Sequence, residues 1–78
     1  MQVQIADAAL AVWLKAERRM LELGHAWAGY DTARAVAADM RSLYTELTSG
    51  DIVSDEVLVK HLDRMADARR RLESITEA

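Results

Sequence analysis

The chain has 78 residues, no cysteine, no proline and a formal net charge of −3. That length supports one domain at most, and such a domain buries only about 60% of its unfolded surface, so its own core is marginal. The missing cysteines exclude disulfides and thiolate zinc sites, and no segment carries the basic excess of a nucleic-acid or anionic-membrane binder.

Abundant alanine and leucine with three glycines is a helical composition. No stretch alternates with period two, so no strand is expected. The longest apolar run, Ala8–Leu14, is far shorter than the roughly 20 residues that cross a bilayer. No basic residue precedes Lys15, which is unlike a signal peptide. The expectation is a cytoplasmic protein with no membrane segment. Eight arginines against two lysines, with so much alanine, suggest a GC-rich bacterial or phage genome.

The first predicted helix spans about 6–28, after a frayed lead-in over Met1–Ile5. Alternating steps of three and four place Ala6, Ala9, Trp13, Ala16, Met20, Leu23 and Trp27 on one seam. A second line, Val3, Leu10, Leu14 and Leu21, runs beside it and is interrupted by Glu17. The two lines cover roughly 200° of the helix, whereas one neighbour needs little more than about 100°. Helix one therefore expects more than one neighbour. Its end falls between Leu23 and Ala28: Gly24 is one possible stop and Gly29 the better one, which leaves Gly24 inside the helix.

Helix two is predicted over 32–48, capped by Asp31 and stopped by Gly50. Its stripe is Ala33, Val36, Met40, Leu43 and Leu47, with Tyr44 beside it. Helix three is predicted over 55–75, with Ser54 as N-cap and Val53 and Leu58 as a hydrophobic staple. Its stripe is Leu58, Leu62, Met65, Ala68, Leu72 and Ile75, flanked by His61 and Arg69. Short connectors make neighbouring helices antiparallel. The expected fold is an all-α antiparallel three-helix bundle, a single domain over 1–78, with a hairpin of helices one and two whose third helix reaches a second chain as the alternative. The wide face of helix one favours self-association in either case, and a symmetric homodimer is expected because two-fold pairing is the commonest assembly.

Candidate sites are few. Glu22 and His25 have the Glu-x-x-His spacing of di-iron helical proteins, but the pair occurs once and lies opposite the tryptophan seam, so no metal and no cofactor are expected. Glu17 is read as exposed at a rim, with pairing to Arg34, Arg41 or Arg69 as the alternative. Arg64, Arg69, Arg70 and Arg71 form a possible basic face of helix three, interleaved with Asp63, Asp67 and Glu73. Asp67 to Arg71 and Glu56 to Lys60 are i, i+4 pairs in the favourable order. Trp27-Ala28-Gly29 resembles the Trp-x-Gly turn of small secreted helical-hairpin proteins, which are longer and lack a third helix of this kind. The likeness is read as chance.

There is no Ser-His-Asp arrangement, no glycine-rich phosphate loop and no His-x-x-x-His. The functional expectation is a non-enzymatic interaction protein, an adaptor, inhibitor or assembly factor acting on a larger protein. Its partner or self-interface is placed at Leu10, Trp13, Leu14, Glu17 and Leu21. A nucleic-acid-linked regulator using the Arg64–Arg71 face is the first alternative, and a purely structural oligomer the second.

Overall fold

The computed structural model describes residues 1–25 and 27–75. Three helices follow in order: α1 (Gln2–Leu23), α2 (Ala28–Leu47) and α3 (Asp55–Glu73). They pack against one another with no strand among the described residues. Gln2 touches the end of α2 while Asp39 and Glu46 of α2 meet Arg64 and His61 of α3, so each successive helix reverses direction.

The first helix starts four residues earlier than its periodicity suggests. The Gln2 amide ties this end down. Its Nε2–H donates to the Leu47 and Asp51 carbonyls (3.1 and 2.9 Å), and its Oε1 accepts from the Val53 amide (3.1 Å). Ile5 is buried one turn later. A segment expected to fray is thus held by three hydrogen bonds, one to the last residue of α2 and two to the connector that follows it.

Helix α1 also ends earlier, at Leu23. Gly24 has φ +73°, the left-handed region that glycine enters at little cost, and its N–H donates to the Met20 carbonyl (3.0 Å). Gly29 instead lies in the first turn of α2, which Trp27 precedes as N-cap, and Asp31 sits in that first turn rather than capping it. A Cβ on Gly29 would lie 2.5 Å from Cγ2 of Ile75, so glycine here lets the chain after α3 pack on the start of α2. Periodicity could not separate these two stops, because Trp27 continues the seam on paper although the chain turns before reaching it. The other boundaries move less. Helix α2 ends at Leu47 with Thr48 as C-cap, and Gly50 turns the connector at φ +98°. Ser54 caps α3 as expected, its hydroxyl accepting from the Val57 amide, and α3 ends at Glu73 while Ile75 still packs on the core.

The core draws Ile5, Ala6, Ala9, Val12 and Ala16 from α1, the whole predicted stripe of α2 plus Ala37, and Leu58, Met65, Ala68 and Leu72 from α3. Small α1 residues against large α2 residues let this pair lie close, and α1–α2 is the most extensive helix contact. One α3 position differs from expectation. His61 is 5% exposed and Leu62 is 39% exposed. From Leu58 to Met65 the stripe can pass through 61 or 62. At 100° per residue His61 lies about 25° from the centre of the other four buried positions and Leu62 about 75°, so the helix phase set by Met65, Ala68 and Leu72 wins over side-chain polarity.

Candidate functional site

Helix α3 covers only one side of the α1–α2 hairpin. It meets α1 along Ile5 and Ala8, where a hollow of about 300 Å³ is lined also by Met1, Gln4, Leu62, Met65 and Arg69. The opposite side stays open. There the second apolar line of α1 faces solvent: Val3 is 72% exposed, Leu14 50% and Leu21 88%, with Leu10 half-buried. Of the wide apolar face expected of α1, the second line is thus left uncovered by the described helices.

Trp13 and Met20 form the floor between that line and α2. Both pack partly on the core, and the Trp13 ring lies 6.1 Å from the Tyr44 ring in a tilted arrangement. Glu17 is exposed at the rim. Its Oε1 accepts from Trp13 Nε1–H at 2.8 Å. This bond accounts for an acid in the middle of an apolar line: the indole donor needs an acceptor, and one turn along the helix supplies it. The i, i+4 spacing of Trp13 and Glu17 was the signal in the sequence for it. No ion pair joins Glu17 to Arg34, Arg41 or Arg69 among the described residues.

Two adjoining hollows share Glu17 and Met20. One, of about 360 Å³ and mostly apolar, is completed by Leu21, Gly24, His25 and Tyr30. The other, of about 160 Å³, is completed by Trp13, Ala37, Ala38, Arg34 and Arg41. Together they make a shallow trough along the α1–α2 seam, apolar on the α1 wall and basic on the α2 wall. Of the sequence-predicted interface residues, Trp13, Glu17 and Leu21 line it, and Leu10 and Leu14 continue the same face of α1. Arg34 and Arg41, named from the sequence only as pairing partners of Glu17, form the α2 wall of the same hollow without pairing with it, and their part in a shared surface was not read from the sequence because both lie outside the core stripe.

The four arginines of α3 do not share one face. Arg64 reaches across to α2 and donates through Nε (3.1 Å) and Nη2 to Asp39 Oδ1. That hydrogen bond raises the guanidinium above its usual range, against the opposing effect of partial burial. Arg70 pairs with Asp67 one turn before it, so Asp67 turns to Arg70 rather than Arg71. Arg69 lines the hollow against α1. Two of the four are therefore partly neutralised, and a phosphate would find no continuous basic strip.

Glu22 pairs with Arg19 at 3.2 Å, while the His25 ring stacks at 4.3 Å on Tyr30. The two are thus drawn to different neighbours. Among the described residues no three His, Asp or Glu side chains converge as a metal site would need. No described helix is long and apolar enough to cross a membrane. Comparison with protein-family models, curated proteins and solved structures finds no match.

Proposed function

We propose that this chain is a non-enzymatic helical interaction module, an adaptor, inhibitor or assembly factor that works by presenting the open side of its α1–α2 hairpin to other protein. One observation carries the reading: a row of large apolar side chains, Leu10, Leu14 and Leu21, stands beside Trp13 on a helix whose other face is already buried. Leucines 50% and 88% exposed contribute little to the fold of the monomer. Set beside an aromatic with a polar handle they are what a protein interface uses at its centre. The apolar row also separates this side from a nucleic-acid surface, where phosphate contacts carry most of the affinity. A second copy of the chain, giving a homodimer, is one occupant such a face accepts.

Leu14→Arg and Leu21→Arg test the reading. Both variants should keep the helical circular dichroism and an unfolding free energy within about 0.5 kcal/mol of the wild type, as exposed substitutions do. Both should lose self-association in light scattering and any protein that co-purifies with the wild type. If the variants keep every interaction of the wild type, or if they unfold, the reading fails.

A further inference from the structure

The trough carries a charge pattern as well as an apolar wall. Arg34 and Arg41 are seven residues apart on α2, so they point the same way about 10 Å from each other. Both line the hollow with Trp13, Glu17 and Met20. Neither makes an ion pair with any described residue, although Arg19, Arg64 and Arg70 all do. Arg18, one turn beyond Leu14, is likewise exposed and without an ion pair on the outer edge of the α1 row. The one carboxylate lining either hollow of the trough, Glu17, is committed to the Trp13 indole. In a chain of net charge −3, two unpaired arginines thus line the α2 side of the exposed apolar row, where Asp31 stands beside Arg34 in the next hollow, and Arg18 stands on its outer edge, which also carries Asp7.

Resting on the interaction reading above, we infer that the trough receives an acidic amphipathic helix of another protein. The apolar stripe of that helix lies on Leu10, Leu14, Leu21 and Trp13. Glutamates or aspartates seven residues apart on one flank meet Arg34 and Arg41, and an acid on the other flank meets Arg18. Planar guanidinium groups suit this role, since each can hold a carboxylate with two parallel hydrogen bonds. A second copy fits less well. A two-fold interface sets the face against itself and brings both sets of arginines together around Glu17 alone. A helix laid in an apolar groove, with charges at its rim setting specificity, is a common mode of recognition.

The test uses the full chain and three fluorescent 18-residue peptides with one leucine stripe, flanked by Glu, by Gln or by Lys at the i and i+7 positions. Anisotropy should show the Glu peptide binding, the Lys peptide at least tenfold weaker, and binding that weakens as salt rises. Arg34→Glu with Arg41→Glu should reverse the order of the Glu and Lys peptides, a swap that a merely unfolded variant cannot produce. Equal binding of all three peptides, lost in Leu21→Arg but unchanged by the arginine reversals, would overturn the charge assignment and leave the interaction module standing. A dimer in light scattering that Leu14→Arg dissolves, with no peptide bound, would make a second copy the occupant and overturn this inference alone. No peptide binding, no dimer and no effect of Leu14→Arg would overturn both.

Discussion

His61 sits in the α2–α3 interface with its Nε2 sealed from solvent and without a hydrogen-bond partner among the described residues, the Glu46 Oε1 standing 3.5 Å away. A buried polar atom left unpaired costs about 1–3 kcal/mol. His61→Leu removes that cost and places an apolar side chain on a stripe that is otherwise wholly apolar. Two effects oppose the gain. The Glu46 contact is lost, but Glu46 is half exposed, so solvent screens it to less than about 0.5 kcal/mol. The change from ring to branched chain costs up to about 1 kcal/mol in packing. The balance is a gain of about 1 kcal/mol, which for a domain of this size raises Tm by about 4–8 °C. Urea and thermal unfolding followed by circular dichroism at pH 8 give both quantities, and Glu46→Gln serves as a control expected to change neither. A loss of 1 kcal/mol or more in His61→Leu would show that the imidazole holds α3 through a bond of its own, and the account of this interface would be wrong.

Two further perturbations address how α3 is held. The Arg64–Asp39 pair is about one-third exposed on each side, so a double-mutant cycle with Arg64→Ala and Asp39→Ala should give a coupling of only about 0.5–1 kcal/mol, smaller in high salt. The guanidinium's pKa is raised chiefly by its hydrogen bond to Asp39, so the arginine's own contribution is fully present below its unfolded value and is lost only as pH rises through the raised folded value, far above neutral pH. Ser54→Ala removes the side-chain cap of α3; because the bond to the Val57 amide is long at 3.4 Å, the cost should fall near 0.5–1 kcal/mol, with Val57 amide exchange accelerated and Ser54→Asp near neutral.

Much of the fold was legible in the sequence. The α2 stripe from Ala33 to Leu47 is buried in full, Ser54 is the cap it was read to be, and Ala9 and Ala16 lie at the centre of the α1 contact. These are local matters of period and capping chemistry, which a sequence states directly. Boundaries that depend on distant partners were not legible. The start of α1 moves to Gln2 because that side chain bonds across to Leu47, Asp51 and Val53. Position 29, inside the first turn of α2, is closed to a side chain by Ile75, far along the chain, so its glycine reports a close approach and not a helix stop.

The candidate site divides in the same way. Composition and spacing determined that α1 carries more apolar surface than one neighbour needs, with Leu14 and Leu21 in the surplus. Only the tertiary structure decided which line is covered: α3 lies along Ile5 and Ala8, so the opposite line stays exposed and the arginines of α2 become its neighbours. Helical period tells which faces seek cover. It is a property of one helix at a time, whereas the choice among those faces is made by the packing of all three at once.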